Sequence, residues 1–329
     1  MLEDFLNQKV FDADVEQVAI RVGYGKGLLR AGIEDERIVA LCADLTESTQ
    51  THLFAEKFPN RFVQMGIAEQ SMASVASGMA AMGKIPFIAS YAMFSPGRNW
   101  EQIRTTIAYN NVNVKIIGAH AGISVGPDGA THQAIEDVAL LRVVPNMIVI
   151  APCDALEAEK ATIAASQFEG PVYIRLAREK TPIITTAETP FEIGKAEIYF
   201  AKSEGKEKSV GIVGSGSVMY QAIVAGKMLE EKGIGASVMN IATIKPLDEK
   251  AVRAFAESHD FLVVVEEHQA AGGLGSAIAE YLVENHPTKI IRVGVRDQFG
   301  QSGTQEELLA YYGLNAESIV TRVEREMQK

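Results

Sequence analysis

Carboxylate, imidazole and guanidinium groups are the side chains that move protons and hold anions, and in this chain they collect in a few short segments. Asp44, Thr46 and Ser48 lie close together, Glu69 and Gln70 open an alanine-rich stretch, and Tyr91, Phe94 and Arg98 follow an apolar run. His120, Asp128, Thr131 and His132 share one glycine-containing segment, and Arg178 follows another apolar run. Each has an ordinary reading when taken alone. Glu69 at a helix start complements the helix dipole, Tyr91 and Phe94 suit core packing, and Asp128 with Gly129 is a turn pair. His120 or His132 by itself is more often a hydrogen-bonded structural histidine than a catalyst. A second, poorer collection comprises Gly214-Ser-Gly-Ser217 and Glu267, His268 and Gln269 with Gly272, Gly273 and Gly275. Gly214 to Ser217 lacks the third glycine of a dinucleotide fingerprint and the lysine of a P-loop, so it reads as a strand-to-helix turn. The chemistry is expected in the first half of the chain.

The elements that must position these residues form an α/β pattern, in which short β-branched runs alternate with longer segments of helical period. The first-half strands are expected at 37–42, 61–65, 85–90, 113–119, 146–151 and 171–176. A helix is expected over 15–31, stopped by Gly32, and another over 154–168 behind the N-cap residue Asp154. The stretch from Ser71 to Phe94 reads as a buried helix followed by a buried strand. Periodicity lapses between Arg178 and Ser209, and a boundary is placed there, giving a first domain of residues 1–190 and a second of 191–329. In the second, strands are expected at 209–213, 236–241, 261–266 and 289–293, and helices at 218–232, 249–258 and 276–285. In open parallel sheets ligands sit beyond the carboxyl ends of the strands, which is where the polar census falls.

Whole-chain composition narrows the function classes. At 329 residues the chain has room for two domains. With 47% hydrophobic and 22% charged residues it has the balance of a globular protein rather than a disordered one. Lys and Arg total 31 against 42 Asp and Glu, a formal charge of −11, which leaves no broad basic face for a nucleic acid. Cys42 and Cys153 are the 2 cysteines and form no Cys-x-x-Cys or Cys/His metal cluster, which fits a reducing cytoplasm. Residues 1–17 lack the basic start and apolar stretch of a signal peptide. The apolar region 71–94 is interrupted by Lys84 and Pro86, short of a membrane span.

Five strings, in order, resemble the carboxyl-terminal two-thirds of transketolase, a thiamin-diphosphate enzyme. They are Ala43-Asp-Leu-Thr-Glu-Ser48, Met65-Gly-Ile-Ala-Glu-Gln70, Tyr91-Ala-Met-Phe-Ser95, the segment from His120 to Gln133, and Leu176-Ala-Arg178. Val264-Val-Glu-Glu-His-Gln-Ala-Ala-Gly-Gly-Leu-Gly275 is similar to the family's carboxyl-terminal domain, which carries no cofactor. The resemblance implies a pyrimidine-binding domain with a parallel sheet followed by a smaller α/β domain. Glu69 would be the buried acid that protonates the cofactor's ring nitrogen, set against an apolar wall of aromatic rings. Phe94 would stack on the aminopyrimidine, Tyr91 would line the same pocket, and Asp44 would order it from the side. Arg21, Ser48, His120 and Arg178 would hold the substrate phosphate, while Asp128 and His132 would meet sugar hydroxyls, with His132 moving protons. The family often has another aromatic three positions after Phe94; here it is Gly97, so the pocket is either wider or closed by Arg98 or Trp100.

Transketolase-like enzymes hold the diphosphate and its divalent metal through a Gly-Asp-Gly run followed by an Asn, and no Gly-Asp-Gly occurs in this sequence. The expectation is a split enzyme: a separate amino-terminal subunit supplies the diphosphate site and the Mg2+ or Ca2+, this chain holds no metal, and two copies of this chain pair. The activity implied is two-carbon ketol transfer from a ketose phosphate to an aldose phosphate. Alternatives are 1-deoxyxylulose-5-phosphate synthase, whose loop carries two consecutive histidines where this one reads His132-Gln133, the beta subunit of a two-oxoacid dehydrogenase, and a non-catalytic scaffold.

Overall fold

Parallel strands need long crossovers, and most β-branched runs here are followed by a helix that returns the chain to the same end of its sheet. The computed structural model describes residues 1–206 and 208–329. The first-half strands are β1 (Gln17–Ala19), β2 (Ile38–Cys42), β3 (Phe62–Gln64), β4 (Ile85–Tyr91), β5 (Lys115–Ala119), β6 (Ile148–Ile150), β7 (Val172–Arg175) and β8 (Lys180–Pro182). The rest are β9 (Glu197–Phe200), β10 (Ser209–Gly214), β11 (Gly235–Asn240), β12 (Thr243–Lys245), β13 (Phe261–Gln269) and β14 (Ile290–Val295). A seven-stranded sheet runs β12-β6-β7-β5-β4-β2-β3, and a five-stranded sheet runs β14-β13-β10-β11-β9. Both are parallel apart from the edge strands β12 and β9. The fold is α/β, with a parallel-rich sheet in each half.

Alternation along the strands distributes the cores. Ile38, Ala40 and Cys42 of β2, with Phe87 and Ala89 of β4, pack beneath Ile20, Tyr24 and Leu28 of the helix Ile20–Glu34 and Ala158 and Ala161 of the helix Ala155–Gln167. Val39, Leu41 and Ile88 point the other way, into a core shared with Val213, Met239 and Val264 of the second sheet. Leu6 and Val10 join the far core of the second sheet, beside Val263 and Ile212. β12 crosses from the second half to the edge of the first sheet, so the halves share strands as well as core.

Two expectations are corrected. The first helix begins at Ile20, not at 15, because residues 17–19 pair as β1 with β8. Gly32 lies inside that helix rather than ending it, and its missing side chain makes room for the rings of Phe54 and Phe58. Two helices not anticipated, Gln305–Tyr311 and Ala316–Met327, close the chain. Gly214 to Ser217 is the turn from β10 into the helix Met219–Glu231, as expected. Among the described residues no helix is long and apolar enough to cross a membrane.

Candidate active site

The singled-out residues of the first half gather beyond the carboxyl ends of the central strands of the seven-stranded sheet, Arg21 reaching in from the first helix. Glu69 is the first residue of the helix Glu69–Ala81 and is 1% exposed. One carboxylate oxygen accepts from Arg98 Nη1 at 2.7 Å, and the other takes a long contact from Ser90 Oγ at 3.5 Å. The Arg98 guanidinium carbon also lies 5.0 Å from the centroid of the Phe94 ring. Asn99, fully buried, donates to the Glu69 carbonyl at 3.1 Å and to Ser95 Oγ at 3.2 Å, tying the turn after β4 to the start of this helix. The apolar wall expected around Glu69 is therefore completed by a cation. Gly97 explains why: any side chain there would run into the Met93 carbonyl, so the tight turn excludes a further aromatic. Trp100 donates its indole N–H to the Leu140 carbonyl at 2.9 Å, which leaves Arg98 as the residue that closes the gap.

Tyr91 ends β4 with its ring stacked on His120, centroids 3.9 Å apart and planes at 25°. Phe94 lies 6.3 Å from Tyr91 in a near-parallel plane, and His132 stands edge-on to both rings, 5.6 Å from Phe94 and 6.3 Å from Tyr91. Arg21 Nη1 contacts His120 Nε2 at 2.9 Å and donates to the Ser48 carbonyl at 3.2 Å. Arginine can only donate, so Nε2 accepts and the His120 proton resides on Nδ1, which is buried without an acceptor. Burial, then the neighbouring Arg21, Arg178 and His132, push the His120 pKa down to about 3, so its ring is neutral. Burial and then Arg178 also lower the pKa of Arg21.

Arg178 reaches the Val125 carbonyl at 2.5 Å and lies 3.8 Å from the Asp128 carboxylate, joining the glycine-containing segment to the end of β7. That segment is braced from behind. Gln133, buried, donates to the carbonyls of Ile123 and Gln301, each at 2.9 Å. The Glu267 carboxylate accepts from the Ser124 backbone N–H and from the Ser217 hydroxyl. Arg175 holds Asp137 at 2.8 Å and the Glu267 carbonyl at 2.8 Å.

The structure thus brings together Glu69, Tyr91, Phe94, His120 and His132, with Arg21 and Arg178 at one side and Asp128 beside Arg178. Ser48 joins through its carbonyl. Asp44 has positive φ, its N–H donates to Gln64 Oε1 at 2.8 Å, and its exposed carboxylate makes no hydrogen bond among the described residues. The contacts of Arg98, Ser90, Asn99, Gln133 and Glu267 are not legible in the sequence, since spacing does not say which way a turn aims its side chains. The Gly97-Arg98 pair is the one signal available.

Two family models match the chain: the transketolase pyrimidine binding domain over residues 16–183 and the transketolase C-terminal domain over residues 200–319. The 6-deoxy-6-sulfo-D-fructose transketolase subunit SqwH of Clostridium sp. strain MSTE9 is 39% identical over 94% of this chain and 95% of its own length. An apulose-4-phosphate transketolase subunit of Phocaeicola vulgatus is 36% identical over 92% of this chain and 95% of its own. A solved structure described as a split gene transketolase, inactive beta4 tetramer, superposes with a TM-score of 0.85 at 44% identity, covering 94% of this chain and 98% of that one. On these matches and on the arrangement beyond its first sheet, the chain belongs to the transketolase family.

Proposed function

We propose that this chain is the carboxyl-terminal subunit of a thiamin-diphosphate-dependent transketolase, carrying a two-carbon ketol unit from a ketose phosphate to an aldose phosphate in partnership with a separate subunit. The observation that carries the reading is the buried Glu69 carboxylate beside the Phe94 ring, with Arg98 over that ring and the His120, Arg21 and Arg178 group next to it. The site fits an aminopyrimidine: the carboxylate's one close donor sits on a side chain that is itself 45% exposed and can turn to water, and a flat ring has Phe94 to lie on. When bound, thiamin supplies the carbon nucleophile that cleaves and remakes the bond beside a ketose carbonyl.

The chain's own residues then divide the work. Glu69 holds a proton against the ring nitrogen opposite the amino group, and Phe94 and Tyr91 orient the ring and exclude water. Asp44 orders the pocket from the side. His120, the Ser48 hydroxyl, and the Arg21 and Arg178 guanidinium groups hold the substrate's anionic end, and Asp128 and His132 meet its hydroxyls, with His132 taking and returning a proton. The names of the Clostridium and Phocaeicola relatives carry different sugars, one with a sulfo group and one with a phosphate. Both are anions that this set of donors suits.

Diphosphate, with its Mg2+ or Ca2+, is assigned to the partner subunit, and two copies of this chain to a dimer. Relatives named as subunits and a structure described as a split gene transketolase, inactive beta4 tetramer, support that division. Residues 1–190 are taken as the pyrimidine-type domain and 191–329 as the carboxyl-terminal one. The two buried free thiols, Cys42 and Cys153, support a reducing cytoplasm. Gln133, turned inward as a brace, disfavours the reading as 1-deoxyxylulose-5-phosphate synthase, and the cationic group has no task in a two-oxoacid dehydrogenase. The deciding experiment reconstitutes the chain with the subunit that co-purifies from its host and identifies the product. Two-carbon transfer between sugar phosphates is expected; carbon dioxide release, or acyl transfer to a lipoyl group, would replace this reading.

A further inference from the structure

A carboxylate buried to the extent of Glu69 needs a partner, because a lone charge out of water costs several kcal/mol. Its partner here is unusual in being half in water. Arg98 reaches in from the turn that Gly97 permits, donates to Glu69 at 2.7 Å and lays its flat guanidinium over Phe94 at 5.0 Å. Among the described residues its side chain makes no other hydrogen bond. These are the same two partners, the carboxylate and the Phe94 ring, that the proposed function gives to the aminopyrimidine of thiamin. Two flat groups cannot share them.

We infer that Arg98 is a displaceable occupant of the cofactor-ring position, holding the Glu69 carboxylate and the Phe94 face until an aminopyrimidine takes both from it. The inference rests on the thiamin reading of this pocket. Arg98 keeps the buried charge paired while the pocket waits, and its exposed stem lets it swing into solvent. The arrangement makes the binding-competent state a minority of the population, and the apparent affinity falls by that fraction.

The test uses the assembled two-subunit enzyme, titrated with thiamin diphosphate in excess Mg2+ and followed by intrinsic tyrosine and tryptophan fluorescence in equilibrium and stopped-flow form. If the ion pair leaves about 3–20% of molecules open, Arg98→Ala binds about five- to thirtyfold more tightly, with the gain in the association rate. Arg98→Met, which keeps the stem and loses the charge, moves the same way, and Arg98→Lys stays near wild type. Weaker binding by Arg98→Ala and Arg98→Met would make Arg98 a ligand of the bound cofactor and overturn the inference. Unchanged binding would make it a bystander and overturn it equally. Phe94→Ala and Glu69→Ala separate this from the parent reading: both weaken binding if the ring lies there, whatever Arg98 does. If neither has an effect, the site itself is misplaced.

Discussion

At Glu69, burial and catalysis make opposite demands on one side chain, and its replacement distinguishes them. Glu69→Gln keeps the volume but loses the group able to carry a proton to the ring. In the reconstituted enzyme, turnover is expected to fall by about 10²–10⁴, while unfolding is little changed because Arg98 can turn to water. A turnover equal to wild type would favour the scaffold reading. His120 makes a second prediction. Unfolded, it takes up a proton near pH 6.5; folded, it resists until about pH 3, through burial first and then Arg21, Arg178 and His132. Between those values the unfolded chain holds more protons, so stability is lost as pH falls from about 6.5 toward 3, by at most about 1.4 kcal/mol per pH unit. His120→Asn, which tolerates the observed φ of 54°, should flatten that slope. Urea midpoints for the two proteins at about pH 7 and pH 5 give the comparison.

Between the single residue and the sheet stands the segment from His120 to Gln133, which holds three expected substrate ligands, His120, Asp128 and His132, yet has little regular structure of its own. Its order comes from Glu267 at the far half, through Ser124 and Ser217, and from Gln133 beneath it. Glu267→Ala strands two buried donors, at about 1–3 kcal/mol each, and loosens the position of Asp128. Denaturant melts should show the stability loss, and the KM for the sugar phosphate should rise more than kcat falls. A KM that stays constant despite destabilisation would remove the segment from substrate binding. The helix Gln305–Tyr311 carries a complete capping box between Thr304 and Glu307. Thr304→Ala should cost about 0.5–2 kcal/mol. That box is present in the sequence as Thr-x-x-Glu, a start signal that hydrophobic periodicity alone does not register in so short a helix. The central strands are legible because β-branched runs buried on both faces leave little ambiguity. The start of the first helix is not, because its helical spacing continues through residues that a distant strand, β8, draws into a pairing. Site residues other than Arg21, which comes from the first helix, are legible for a related reason: they follow strands of the first sheet, and parallel strands deliver their ends to one place. What spacing does not supply is orientation, which is why Arg98, one of two candidates to close the pocket, and the buried braces emerge only from the folded structure.

Across the whole molecule, the surface around the site is poorly suited to water. Ile67, 75% exposed, and Met82, 85% exposed, flank the helix Glu69–Ala81, whose outward positions include Gln70, Ser71, Ser74 and Gly78. Small residues let a neighbouring backbone approach closely, and large aliphatics left in water gain about 25 cal/mol for each Å² covered. A net charge of −11 opposes random association but does not offset burial of a matched apolar face. The purified chain should therefore sediment as a dimer or larger, in keeping with the proposed pairing of copies around the site. Ile67→Asp combined with Met82→Lys should shift it toward monomer with the fold intact by circular dichroism, because neither side chain packs inside the fold, and the melting temperature should fall only by the stabilisation that self-association supplied. Analytical ultracentrifugation of both proteins decides the matter: a wild-type chain that stays monomeric at high concentration would take this face out of the pairing of copies, and leave the separate partner subunit as the polypeptide that meets the pocket.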